Sequence, residues 1–472
     1  MRRSLTVISS FVIAPLLLGP AAVAAPTAPA RADVARDVGG ASPVAAQTDA
    51  DGRARWVAAW ATAPQGVYPV GYAVGQPGAT DAKGLTRIPA LPGDQARDQT
   101  LRMIVRPTLD GDEWRLRLSN AFGTRPVTFD AVSLADQHSG SSIDPRTRTQ
   151  VTFGGRRSVT VAPGEVVASD PVSFRVRGRG DDHVAVSLSV KGASGPMTWH
   201  ATSFATSYVS EPGSGDRTRE ASGASFGAST TSWFYVAGLD VRSRHAGTVV
   251  ALGDSITDGF FSSVNGDDRW PDQLERRLRA RGGPTLSVVN QGIGGNMVTD
   301  VGRPPGECTP CDGPPLFDRL DRDVISQPGV RAVILLEGIN DLGGGNATAE
   351  SVIAGMKRTV NTLHAHGLPV VGATITPSGG AEGGYGTAAT DAKRRAVNDF
   401  IRHSGTFDDV ADFAKAVEDP RDPSRLKPEF ATNSSTGGPG DKLHPGRAGF
   451  IEMANAVDLD ELTHLVRKAR TR

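Results

Sequence analysis

The sequence predicts an α/β protein in two parts. An all-β, sandwich-like region comes first, and a three-layer α/β/α domain with a parallel sheet follows. Three observations predict this. Between residues 54 and 244, short runs alternate apolar and polar residues with a period of two. From about Gly247 the period changes, and apolar runs of strand length alternate with helical stretches. The chain has 472 residues, 38% of them hydrophobic, enough for two domains with real cores.

The first residues read as an export signal. Arg2 and Arg3 give a positive start, Leu5 to Leu18 is apolar but broken by Pro15, and Ala22-Val23-Ala24 offers a small-x-small cleavage site. That apolar run falls short of the roughly 20 residues a spanning helix needs. The arginine pair leaves a twin-arginine route open. Residues 1–32 are therefore expected to be signal peptide and leader, and residues 33–53, rich in Ala, Pro, Asp and Thr, a disordered linker. A secreted, extracellular protein without stable membrane association is expected. Lys+Arg and Asp+Glu both number 51, so no basic surplus points to nucleic acid.

The β region is expected over residues 54–244. Trp56 to Trp60 opens it. Trp114 to Leu118, Val172 to Val176 and Val184 to Val190 alternate in the manner of strands with one buried face. Leu109-Asp110-Gly111-Asp112 reads as a hairpin-type turn. Trp233 to Ala237 reads as one closing strand. Trp199 could stack on a sugar ring, but core filling is the preferred reading for Trp56, Trp60, Trp114 and Trp199, because aromatics are only 6% of the chain and form no visible row. Gly223-Ala224-Ser225-Phe226-Gly227 matches the pattern of a nucleophile elbow, yet it lacks the strand and helix that such an elbow needs.

The α/β domain is expected over residues 245–472. Its strands are read at Thr248 to Leu252, Leu286 to Asn290, Ala332 to Glu337, Pro369 to Ile375 and Asp409 to Phe413. Helices are read at Pro271 to Arg281, Ala349 to His366 (with Ile353, Met356, Val360 and Leu363 on one stripe), Thr390 to Ile401 and Gly446 to Val457. Sites in such sheets lie beyond the carboxyl ends of the strands. Four notable stretches sit there: Gly253-Asp254-Ser255, Gly292-Ile293-Gly294-Gly295-Asn296, Gly338-Ile339-Asn340-Asp341 and Asp441-Lys442-Leu443-His444.

These residue types suit acyl transfer. A serine is a weak nucleophile and needs a base within hydrogen-bond reach. His444 stands in a turn-rich loop at the carboxyl edge, and Asp441 can accept from its other ring nitrogen and fix the tautomer. A tetrahedral oxyanion needs preorganised donors. The Ser255 N–H, an N–H of the glycine-rich turn and the Asn340 amide can supply them. Each stretch alone has a bland reading as a turn, a cap or a solvated loop. All four in order, each at a strand end, favour catalysis.

Together the four stretches resemble the SGNH, or GDSL, hydrolase family, named for a serine, a glycine, an asparagine and a histidine in four blocks. The resemblance covers about Gly247 to the C-terminus. It implies a flavodoxin-like three-layer fold, a serine ester hydrolase working through an acyl-enzyme, and no metal or organic cofactor. It aligns the donor glycine with Gly295 and the catalytic residues with Ser255, Asp441 and His444, and places the oxyanion on Ser255, Gly295 and Asn340. A looser resemblance is to a secreted subgroup with acetylxylan-esterase-like members. The expected substrate is an acetylated, xylan-like carbohydrate ester, and a monomer is expected. A lipase, phospholipase or arylesterase on the same machinery is the alternative, and a non-catalytic glycan-binding protein a further one. Cys308 and Cys311 are expected to form a local disulfide in an exported protein, within a segment from Arg303 to Pro315 that reads as an insertion near the site.

Overall fold

A computed structural model describes residues 54–66, 90–93, 95–176, 182–283, 285–299 and 313–470. The export signal, the linker and both Cys308 and Cys311 lie outside the described residues.

Two antiparallel sheets make up most of the β region. One runs in the order Arg55–Ala61, Val236–Ser243, Gly111–Ser119, Val172–Val176. The other is built around Arg97–Val105, Val184–Ala193 and Val127–Ser139. Their inner faces share one hydrophobic core, which includes Trp114, Leu116 and Leu239 from the first sheet and Leu101, Val132 and Leu188 from the second. The period-two pattern of Val172–Val176 becomes buried Val172, Phe174 and Val176 between exposed Ser173 and Arg175.

Two local expectations differ from the structure. Leu109 to Asp112 is not a hairpin turn, because the strands on either side of it, Arg97–Val105 and Gly111–Ser119, belong to different sheets. The closing strand is broken at Tyr235, a buried residue with φ of 59°. That left-handed residue sends Trp233–Phe234 into a small sheet with Thr198–His200, while Val236–Ser243 pairs with Arg55–Ala61. Trp60, Trp114 and Trp199 are buried, and the Trp199 ring nitrogen donates to Gly66 O at 2.8 Å, so this ring is core and not a sugar platform.

The second region holds a five-stranded parallel sheet in the order Leu286–Gly292, Gly247–Gly253, Val330–Leu336, Val370–Ala373, Asp409–Ala411. In chain order this is 2-1-3-4-5, the flavodoxin-like arrangement. Gly247–Gly253 is buried along its whole length, as a strand covered on both faces must be. Helix Trp270–Arg281 buries Trp270, Leu274 and Leu278, with a proline in its first turn and Gly282 at its end. Helix Ala349–Ala365 buries Val352, Met356, Val360 and Leu363, with Ile353 only half-buried at the margin of the stripe. The fifth strand stops at Ala411, because the Asp412 side chain accepts from Lys415 N and starts helix Phe413–Val417. A last helix, Leu459–Arg470, lies beyond the helices expected from the sequence and buries Leu462, Leu465 and Val466.

The two regions are packed against each other. Ala58 N donates to Pro328 O at 2.8 Å, and Ala58 O accepts from Thr248 and Ser287 hydroxyls. Arg106 pairs with Glu275 at 2.8 Å, and Arg117 Nη2 donates to Gln327 Oε1 at 2.8 Å. All four of these side chains are buried.

Candidate active site

The first parallel strand ends at Gly253, and Asp254 begins the short helix Ser255–Asp258. The Asp254 carboxylate accepts from Ile256 N at 2.9 Å, which caps the helix and holds Ser255 at its first position. Ser255 is 5% exposed and His444 8%. The Ser255 hydroxyl lies 2.8 Å from His444 Nε2. His444 Nδ1 lies 2.6 Å from Asp441 Oδ2.

The Asp441–His444 turn is built to make this contact. Lys442 takes φ of 68°, which reverses the chain. Asp441 Oδ1 then accepts from the backbone N–H of Leu443 and of His444, each at 2.9 Å. Burial works against the Asp441 charge, but the hydrogen bonds from the His444 ring and from these amides win and hold its carboxyl below the usual range. Asp441 therefore stays ionised and ties up Nδ1, leaving Nε2 to face Ser255.

Gly295 follows the second strand with φ of 78°, a conformation that suits glycine. Asn340 lies on the short helix Ile339–Leu342 after the third strand. The Asn340 side-chain nitrogen donates to Asn296 O at 2.8 Å, so the amide stands against the residue that follows Gly295. The structure thus links Ser255, His444 and Asp441 in one hydrogen-bond chain, and joins Asn340 to the glycine turn.

Several residues of the site were missed in the sequence. Arg319, fully buried, donates to Gly253 O, to Gln291 O and to the Asn296 side chain, each at 2.8 Å. One guanidinium thereby fixes the ends of two strands and the glycine turn. Its helix, Leu316–Leu320, gave no local signal of that reach. Asp341 accepts from Val298 N and Thr299 N at 2.9 Å each and so clamps the chain beyond Gly295. Burial pushes the Asp341 carboxyl up to about 6 and Asp254 up to about 7. Burial and the neighbouring Asp254 push buried Glu337 well above the usual range.

Three phenylalanines shape the surroundings. Phe260 stacks on the His444 ring at 5.1 Å, and Phe261 meets it edge-on at 5.6 Å. Phe204, from the β region, packs edge-on against Phe260 at 5.9 Å. Two more β-region side chains reach the helix that carries Ser255. His200 Nε2 lies 2.9 Å from one Asp258 oxygen, and the Thr202 hydroxyl donates to the other at 3.0 Å. Ser225, the decoy, sits in a turn closed by Phe226 N donating to Gly223 O at 3.1 Å. Among the described residues, no group of three or more His, Cys, Asp or Glu side chains is placed to hold a metal ion.

This arrangement can deprotonate a serine hydroxyl and transfer an acyl group to it. Residues 251–450 match the model of the GDSL-like Lipase/Acylhydrolase family. No curated protein matches the chain. Similar solved structures include a carbohydrate acetylesterase family member from Sinorhizobium meliloti, 16% identical, with 48% of this chain and 100% of that chain covered and a TM-score of 0.34. A lipase/acylhydrolase from Enterococcus faecalis is 19% identical over 48% of this chain and 96% of that one, with a TM-score of 0.32. An acetyl xylan esterase is 18% identical over 44% and 96%, with a TM-score of 0.32.

Proposed function

We propose, from the premise that residues 251–450 make this chain a GDSL-like lipase/acylhydrolase and so a carboxylic ester hydrolase, that it is a secreted serine esterase removing acetyl groups from carbohydrate esters. The observation that carries the serine mechanism is the chain from Ser255 Oγ through His444 to Asp441, at 2.8 and 2.6 Å. Export is supported by the Arg2-Arg3 start, the short apolar run and Ala22-Val23-Ala24. A small acyl group is favoured by the crowding of Phe260 and Phe261 about His444.

In this reading Ser255 Oγ attacks the acyl carbon as His444 Nε2 takes the hydroxyl proton. The carbonyl electron pair moves onto oxygen, where the N–H groups of Ser255 and Gly295 and the Asn340 amide hold it. The pair returns, the C–O bond to the alcohol breaks, and the alcohol leaves with the proton from His444. Water then attacks the acyl-serine with His444 again as base. The carboxylic acid departs and Ser255 regains its proton. Asp441 orients the ring throughout.

The test is a panel of acetylated xylan and aryl esters of graded acyl length, with Ser255→Ala as control. Turnover should be highest on acetyl esters and should fall by a factor on the order of 10⁴ or more in the variant. Activity confined to long acyl chains would replace the acetyl reading with a lipase one. Equal labelling of wild type and variant by a fluorophosphonate would remove Ser255 as nucleophile.

A further inference from the structure

Resting on the oxyanion role proposed for Asn340, we infer that Tyr385 is a positioning residue that holds the Asn340 amide in its working orientation. Among the described residues, the Asn340 amide meets two partners. Its nitrogen donates to Asn296 O at 2.8 Å, and its oxygen accepts from the Tyr385 hydroxyl at 3.0 Å. A backbone carbonyl cannot donate, so the amide nitrogen must face Asn296 and the amide oxygen must face Tyr385. The nitrogen then has one hydrogen committed to Asn296 and a second to offer a substrate oxygen. The terminal torsion of an asparagine is broad and nearly two-fold. Without a donor on its oxygen, the amide keeps, among the described residues, the Asn296 contact alone to fix it.

The surroundings are fitted to deliver that phenol. A Cβ placed on Gly343 would come within 2.4 Å of the Tyr385 ring, and one on Gly344 within 3.0 Å of its hydroxyl. Tyr385 therefore lies across two glycines that directly follow the Asn340 helix, and side chains there would lift it off. The loop carrying Tyr385 is pinned on both sides. The Ser378 hydroxyl donates to Tyr385 O at 2.9 Å, and the Thr390 hydroxyl donates to Gly384 O at 2.7 Å. These bonds set the backbone of a long connection, between the strand ending at Ala373 and the helix starting at Ala388, so that one side chain reaches the third strand's end.

The test is a double-mutant cycle on the full chain with Tyr385→Phe and Asn340→Ala, read as kcat and KM on an aryl acetate. Asn340→Ala should lower kcat about 10²–10³-fold, the usual effect of losing one oxyanion donor. Tyr385→Phe, which removes only the hydroxyl, should lower kcat about ten-fold with KM changed less than about two-fold. In the Asn340→Ala background it should add nothing. Gly343→Ala, which displaces the ring without touching its chemistry, should reproduce the kcat loss. If Asn340→Ala costs kcat and Tyr385→Phe does not, or if the two losses multiply in the double variant, Tyr385 does not act through Asn340. If Asn340→Ala itself leaves kcat intact, the oxyanion role of Asn340 fails first, and the role of Tyr385 with it.

Discussion

At 2.6 Å from Asp441 Oδ2, the Nδ1 atom of His444 must donate, and that single hydrogen decides which ring nitrogen is left to meet Ser255. Replacing Asp441 with Asn puts either a donor or a weaker acceptor there and lets the ring take the wrong tautomer. Asp441→Asn is expected to lower kcat about 10⁴-fold while the far-ultraviolet circular dichroism stays that of the wild type. Asp254 works in the opposite electrostatic direction. Burial raises its carboxyl to about 7, so its ionised form is disfavoured in the folded chain. A raised carboxylate contributes most stability below its unfolded range, near pH 4, and that contribution is lost as pH rises through the folded value. Asp254→Asn keeps an acceptor for Ile256 N and removes the buried charge. Its thermal midpoint should exceed that of the wild type at about pH 8, by something on the order of 5 °C, and the difference should vanish below about pH 4. An unchanged difference between variant and wild type across that range would show that the Asp254 carboxyl ionises as readily in the folded chain as in the unfolded one.

At the scale of elements, the short helix Ser255–Asp258 is held at both ends. Asp254 caps its start, and the β region grips its end through His200 and Thr202 on Asp258. The other ring nitrogen of His200 meets Ala63 O at 2.9 Å, and the ring stacks on Trp233 at 5.6 Å. His200 is 3% exposed and Asp258 1%, so removal of the imidazole leaves a buried carboxylate short of a partner. His200→Ala is expected to destabilise the chain by about 3–5 kcal/mol in denaturant unfolding. It should also lower kcat, because the helix that presents Ser255 loses its anchor. A loss of stability with unaltered turnover at a temperature where the variant is folded would separate the anchor from the site. The parallel strands themselves needed no such partner to be read, since a run such as Val249 to Leu252 is apolar at every position.

At the scale of the molecule, the β region is part of the scaffold of the site. It supplies Phe204 behind Phe260, His200 on Asp258, and Arg269 of the α/β region donates back to Ser203 O. Arg106 with Glu275 and Arg117 with Gln327 are buried between the two regions. A fragment of residues 245–472 alone would expose Glu275 and Gln327 without their arginine partners from the β region, together with the apolar surface around them. It is expected to be insoluble or inactive, and co-expression with residues 54–244 should recover activity. A soluble fragment with full turnover would show instead that the β region is dispensable.

The sequence by itself determined the parallel sheet and the four stretches, three of which follow the ends of its strands while Asp441 to His444 lies in a loop 30 residues beyond Ala411. Fully apolar strands, turn glycines and chemically distinctive residues are local signals, and each stretch carries its own. Ser255, Asn340, Asp441 and His444 could be named from them, and the family resemblance singled out Gly295 within its turn. Tertiary structure alone decided what holds those residues in place. Arg319 reaches acceptors on two strand ends and on the glycine turn, Tyr385 crosses 45 positions to Asn340, and His200 crosses 58 to Asp258. Such pairings leave no periodicity, because nothing near an arginine, a tyrosine or a histidine in sequence records which distant atom it will meet. The same reason explains the broken strand at Tyr235 and the inter-sheet turn at Leu109 to Asp112. Both looked regular locally and were set by which sheet each flanking strand joined.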